Sequence, residues 1–229
     1  MGTAMKILAI EASTDVGSVV VQTPDGQFRR SIDTARAQAE NLLPMIDDAL
    51  RDAGIVPKQL DAIAFGRGPG SFTGVRLASM IAQGLAAAVD VGVVAVSSLA
   101  AAAQQIWAQA DVQRVAICMD ARMGEVYFAE YSLIAGIATP VEHERLLTPG
   151  AVKFPVTGAW AAAGSGLAVY GDEYATAVAG ATLVLPELRP DASGLIAAAQ
   201  RTLMAGELAS PDAIATHYLR GESAWKRSS

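Results

Sequence analysis

Apolar residues along the chain follow two spacings, and the switches between them divide it into elements. Residues 6–11 form a short apolar run closing on a carboxylate, residues 12–16 are a turn, and residues 17–21 are apolar again. Two such runs around a short turn predict a β-hairpin, and Pro24-Asp25-Gly26 leads into a third strand near Phe28. The period then changes. Leu42, Leu43, Met45, Ile46, Ala49, Leu50 and Ala53 recur at helical spacing up to Gly54, predicting a helix over about 39–53 that either bends at Pro44 or starts only a turn before it. A strand at 62–65, a helix over 72–88, a strand at 91–96 and an alanine-rich helix to about Gln109 follow. The order βββαβαβα predicts an α/β fold with a mixed sheet flanked by helices.

The second half restarts in the same way. Residues 115–120 are an apolar run ending in a carboxylate, 121–124 a turn and 126–131 a further apolar run, echoing residues 7–21. This predicts a diverged internal repeat and two domains, 1–108 and 109–229, joined near 104–113. Pro140, Pro149, Pro155, Gly158, Gly164 and Gly166 then break the pattern. A strand near 167–170 and a helix over 193–204, capped at Asp191 or Ser193, are expected.

The most informative stretch is 60–76, L-D-A-I-A-F-G-R-G-P-G-S-F-T-G-V-R, where an apolar run stops at closely spaced glycines and resumes with helical spacing. Gly66, Gly68 and Gly70 can take positive φ, Pro69 fixes its own φ, and Ser71 or Thr73 can cap the helix. Such a turn can hold an anion between Arg67 and Arg76, with Gly68 and Gly70 as backbone contacts. The pattern is neither G-x-x-x-x-G-K-[ST] nor a clean G-x-G-x-x-G, so a purely structural turn is the other reading. Glu11 and Asp15 on the first hairpin are two carboxylates with no lysine nearby, which would bind phosphate only through a metal ion, or else they order the hairpin.

Composition narrows the class. With 52% hydrophobic and 17% charged residues the 229-residue chain is expected to fold into a substantial core, and the alanine content favours helices and close packing. No membrane span or secretory leader is read in it, and the lone Cys118 cannot form an internal disulfide, so a cytoplasmic setting is expected. A net charge of -6 argues against unaided grip on nucleic acid. His143 and His217, the only histidines, are far apart, and neither H-E-x-x-H nor G-x-S-x-G is present.

G-R-G-P-G-S-F-T-G-V-R resembles the hallmark of the bacterial TsaB (YeaZ) family, the partner subunit in tRNA threonylcarbamoyladenosine biosynthesis. Residues 7–13 (I-L-A-I-E-A-S), 119–127 (M-D-A-R-M-G-E-V-Y) and 218–225 (Y-L-R-G-E-S-A-W) agree with that family in order. The resemblance implies a ribonuclease H-like/actin-like (ASKHA) fold and a non-catalytic subunit. It would pair with the catalytic paralogue TsaD, which transfers a threonylcarbamoyl group to N6 of an adenosine in tRNAs reading codons that begin with A, and with the ATPase TsaE. The TsaD family carries a His-x-x-x-His metal pair; here Ser98 and Ala102 fall at those positions. No cofactor or metal is then required by the isolated chain, ATP/ADP and metal belong to the partner subunits, and tRNA is reached only through the complex. Other readings are a free-standing glycoprotease-like peptidase and an ASKHA-type kinase.

The partner surface is expected on the helices over 39–53 and 72–88. The first is apolar on two flanks, Leu42, Met45 and Ala49 on one and Leu43, Ile46 and Leu50 on the other, more than a single sheet contact buries. The second carries Phe72 and the small residues Gly74, Ala78, Ala82 and Gly84, which allow another helix to approach closely. The same patch would support a homodimer when the partner is absent.

Overall fold

The structure is a computed structural model in which residues 5–155, 157–213 and 219–220 are described. The first half contains β1 (Ile7–Glu11), β2 (Gly17–Thr23), β3 (Gly26–Ile32), α1 (Ala35–Asp52), β4 (Ala62–Gly66), α2 (Phe72–Val89), β5 (Gly92–Val96) and α3 (Ser98–Trp107), in the expected order. The strands form one mixed sheet ordered β3-β2-β1-β4-β5, antiparallel across β3-β2-β1 and parallel across β1-β4-β5. Helix α1 starts a turn earlier than its apolar pattern and runs through Pro44, which faces solvent.

The second half contains β6 (Arg114–Arg122), β7 (Glu125–Ile134), β8 (Ile137–Pro140), β9 (Arg145–Leu147), β10 (Trp160–Ala163), α4 (Ser165–Val169), α5 (Gly171–Val178), β11 (Leu183–Leu185) and α6 (Ile196–Ala205). Its sheet runs β8-β7-β6-β10-β11, with β9 also paired to β7. Each step has the sense of the corresponding step in β3-β2-β1-β4-β5. The echo between residues 7–21 and 115–131 is therefore a duplication of topology. The strand expected at 167–170 is instead α4: Gly164, at φ +114, turns the chain off β10, and Leu167 is buried in the core beneath the second sheet. The alanine-rich strand β10 has no alternation to betray it, because all four of its residues are buried.

The halves interlock. Helices α1 and α2 cover one face of the first sheet, in a core holding Leu8, Ile10, Val19, Val21, Ile63 and Phe65. Its other face is covered from the far end of the chain, by a 3-10 turn (Ala192–Leu195) and α6, through Ala192, Leu195, Ile196 and Ala199. Helix α3, from the first half, packs Leu99, Ala102, Ala103 and Ile106 on the second sheet and turns Ala101 toward the first. Residues 192–205, from the far end of the chain, thus complete the first core. The remaining face of the second sheet carries α4, α5 and an aromatic cluster of Phe128, Phe154, Trp160 and Tyr174.

This packing corrects the expected surface. Leu42, Met45, Ile46, Ala49 and Leu50 are all buried, because α1 lies on β2 and β3 and beside α2, so two neighbours share its two flanks. Gly74, Ala78 and Ala82 are buried under α2 in the same core. Of the residues expected to meet a partner, Leu43, Phe72 and Gly84 are exposed. The exposed large apolar residues on these two helices are Leu43, Phe72 and Met80. Among the described helices α2 is long and apolar enough to cross a membrane by length and composition; here one side of it is committed to the sheet.

Candidate functional site

The end of β1 and the glycine turn after β4 are built into each other. Glu11 is fully buried; its Oε1 accepts from the Ser13 N–H (2.7 Å) and its Oε2 from the Ser98 hydroxyl (2.9 Å). Burial pushes the Glu11 carboxyl above the usual carboxylate range, against the pull of the Ser13 and Ser98 hydrogen bonds. A Cβ on Gly66 would overlap Glu11 Oε2, one on Gly70 the Ser13 carbonyl and one on Gly74 the Ala12 carbonyl. The turn is fastened by Ser71 N–H to the Ser13 carbonyl (2.6 Å), Arg67 N–H to the Val96 carbonyl (2.8 Å) and Ser98 N–H to the Gly68 carbonyl (3.0 Å). Gly68 lies at φ +89, and the Gly68–Pro69 bond is cis. Gly66, Gly70 and Gly74 are thus required by the approach of the first hairpin, and Gly68 by its positive φ.

Its flanks are also engaged. Ser71, not Thr73, caps α2, its Oγ accepting from the Gly74 N–H (3.4 Å), and the Arg76 guanidinium lies over the Phe72 ring at 3.6 Å. Asp15 is separate from Glu11 in role: it is exposed and pairs with Arg189 (3.3 Å). The two carboxylates of the first hairpin therefore do not converge on one ligand, and among the described residues no group of three His, Cys, Asp or Glu could hold a metal ion.

The second half repeats the device with weaker chemistry. Gly164 and Gly166 lie against Cys118, where added Cβ atoms would stand 2.5 Å from its carbonyl and 2.7 Å from its Sγ. Burial pushes the Cys118 thiol up to about 12. Asp120 N–H donates to Ser165 Oγ (3.0 Å), and Asp120 pairs with Arg122 (3.3 Å), the local ion pair of a turn.

Between the sheets lies a cluster that no sequence motif announced. Ser97, the cap of α3, donates to Glu144 Oε1, which also accepts from the Tyr131 hydroxyl (2.7 Å). Burial and the neighbouring Glu144 carboxylate hold the Tyr131 hydroxyl well above its ordinary value. Ser97 and Ser98 thus anchor two carboxylates at one helix start, one from each half. Polar singlets in loops carry no periodicity, so only the doublet V-S-S before an alanine run marked the place. His143, beside Glu144, is exposed; His217 and most of the tail motif lie outside the described residues. Ala102 is buried in the second core.

A duplicated unit of five strands in the order 3-2-1-4-5, with helices exchanged between the two copies, is the ribonuclease H-like architecture of the ASKHA group. Residues 32–208 match the family described as TsaD, tRNA N6-adenosine threonylcarbamoyltransferase. Over 97% of its length the chain is 34% identical to the tRNA threonylcarbamoyladenosine biosynthesis protein TsaB of Escherichia coli, 98% of which is covered. It is 36% identical to YeaZ from Pseudomonas aeruginosa, with a TM-score of 0.84 over 91% of this chain and 97% of that one. A second crystal structure, of a protein with similarity to peptidase YeaZ from Pseudomonas aeruginosa, superposes with a TM-score of 0.87 at 36% identity, over 94% of this chain and all of that one. The chain belongs to the TsaB (YeaZ) family.

Proposed function

We propose that this chain acts in the biosynthesis of tRNA threonylcarbamoyladenosine as the non-catalytic subunit, supporting a TsaD-type catalytic paralogue together with a TsaE-type ATPase. One observation carries the reading. At the two positions where the catalytic paralogues are expected to hold a metal-binding histidine pair, Ser98 spends its hydroxyl on Glu11 and Ala102 is packed into the core. A hydroxyl and a methyl cannot replace two imidazole ligands. ATP/ADP and metal belong, in this proposal, to the partner subunits, and tRNA is reached only through the complex, in keeping with the net charge of -6.

What the chain contributes is a surface. Leu43 (51% exposed), Phe72 (41%) and Met80 (68%) stand on the outer side of adjacent helices that rest on a rigid sheet. A paralogue with the same duplicated fold would present equivalent helices, giving a pseudo-symmetric contact, and without it two copies of this chain would meet through the same residues. The buried positions Leu42, Ala78 and Ala82 support them from beneath. Leu43→Glu combined with Met80→Glu is expected to abolish co-purification with the TsaD-type paralogue while the variant melts like the parent. Co-purification at normal yield would remove this face from the account. The Ser98–Glu11 bond and the exposure of His143 give no support to a peptidase, and the short Gly164–Gly166 turn, filled by Cys118, gives none to a kinase.

A further inference from the structure

We propose that matching joints at the starts of the two exchanged helices, Ser97–Glu144 and Asp191–Arg29, clamp the two sheets at a fixed angle, so that the angle changes only when both are released. The duplication sets up the match. Helix α3 follows β5 and crosses to the second sheet, while the 3-10 turn (Ala192–Leu195) and α6 follow β11, the counterpart of β5, and cross to the first. The two crossing segments touch each other, where a Cβ on Gly194 would overlap the Ala101 carbonyl. Each begins at a capping residue. Ser97 Oγ accepts from the N–H groups of Leu99 (3.2 Å) and Ala100 (3.3 Å), and Asp191 Oδ1 accepts from the Ser193 N–H (3.0 Å).

Each cap is gripped by the half toward which its helix crosses. Ser97 donates to Glu144, which follows β8 and is itself held by the Tyr131 hydroxyl of β7 (2.7 Å). Asp191 Oδ2 accepts from Nε (2.9 Å) and Nη2 (2.7 Å) of Arg29 on β3, and the next N–H, of Ala192, donates to Ser18 Oγ of β2 (2.9 Å). Strands β7 and β8 are the counterparts of β2 and β3 in the sheet order. One joint has therefore been built twice with different chemistry, a hydroxyl on a carboxylate in the first copy and a carboxylate on a guanidinium in the second.

What these joints supply is placement. Glu144 Oε2 is enclosed with no hydrogen-bond partner among the described residues, and a carboxylate oxygen withdrawn from water and left unpaired costs stability. The gain that offsets it is a fixed distance between the start of α3 and strand β7. Ser97 stands four residues before Ala101, and Asp191 three before Gly194, so both joints lie within about one helical turn of the crossing. With the crossing as pivot, either joint alone blocks rotation of one sheet against the other.

The test uses the full chain carrying spin labels at Lys58→Cys in the first half and Thr176→Cys on α5 in the second, both on exposed positions, with Cys118 buried and unlabelled. Labelled chain is diluted with unlabelled chain, so that pulsed electron-spin measurement reads distances within one molecule. Glu144→Ala and Arg29→Ala remove the gripping side chains and leave both caps in place. Each single variant is expected to keep the narrow distance peak of the parent, and the double variant to lose it to a broad distribution, because two redundant restraints are not additive. If the double variant fails to melt cooperatively, Glu144→Gln with Arg29→Lys loosens the same joints, since lysine lacks the guanidinium fork, and the same loss is expected. A double variant that keeps the parent's peak would show two merely local contacts and overturn the proposal. So would loss of the peak in either single variant, because the joints would then not act as a pair.

Discussion

At Glu11 an ionisable residue is fully enclosed, and the cost of burying its charge is visible in the proton it holds. Because its folded carboxyl titrates above the ordinary value of 4.5, the folded chain keeps this proton where the unfolded chain has lost it. Its contribution to stability is complete at low pH and is lost as pH rises above 4.5 through the raised value. Urea unfolding from pH 4 to 8 should therefore show the advantage of the parent over Glu11→Gln shrinking as pH rises; an advantage that grows would contradict the assignment. The glycines around Glu11 make a sharper prediction. Gly70→Ala and Gly74→Ala drive a methyl into a backbone carbonyl, and each should cost about 1–3 kcal/mol or more. Gly84→Ala, where a Cβ meets nothing within 4 Å, should stabilise by up to ~1 kcal/mol. Thermal melts of the three variants check the order. The glycine spacing was legible in the sequence as a turn. What it turned against was not, because Ala12 and Ser13 contribute carbonyls, which any residue type supplies.

Among the elements, α1 and α2 show where periodicity informs and where it stops. Their helical spacing located both, yet it could not say which apolar flank faces in, since α1 has two and the structure buries all of both but Leu43 between the sheet and α2. Exposure separates what spacing leaves together: Ala78 and Met80 lie two residues apart, one at 0% and the other at 68%. Ala78→Arg should therefore unfold or severely destabilise the chain, by at least about 3 kcal/mol. Met80→Glu should leave the melting temperature within a few degrees and weaken partner binding by roughly 2 kcal/mol, about thirtyfold. Calorimetric titration with the paralogue, alongside a melt of each variant, distinguishes the two. Equal effects of the two changes on folding would mean that α2 is turned differently. The strands β10 and β11 escaped the sequence for a related reason, since complete burial or three-residue length leaves no alternation to read, and α4, at five residues, is too short to show a helical period.

Across the whole molecule, the two halves are tied by exchange of helices and by a few polar contacts. Arg29 from β3 grips Asp191 (2.7 Å) at the entry to the turn that carries the chain back to the first sheet. Burial raises the Asp191 carboxyl, but hydrogen bonds from Arg29 and Ser193 outweigh it and leave the group below its ordinary 3.8. Its contribution is thus present above 3.8 and lost as the pH falls below it, so Asp191→Asn should cost most near neutrality and least in acid. Acid unfolding curves of the parent and the variant test this; a cost that rises toward low pH would contradict it. The duplication was readable from two apolar runs each ending in a carboxylate, whereas the return of residues 192–205 to the first core was not, since no local pattern encodes a contact with β1, β2, β4 and β5 at the other end of the chain. The fold that results resembles a catalyst, with a serine and an alanine at the expected ligand positions and exposed apolar residues on α1 and α2. The most direct test of that account is to titrate the chain into a fixed amount of its TsaD-type paralogue, with the ATPase and the other substrates in excess, and measure threonylcarbamoyladenosine formed in tRNA. The account predicts no product from the chain without the paralogue and a rate that rises to saturation at equimolar chain. Product formed by the chain without the paralogue, or a paralogue rate indifferent to its addition, would contradict it.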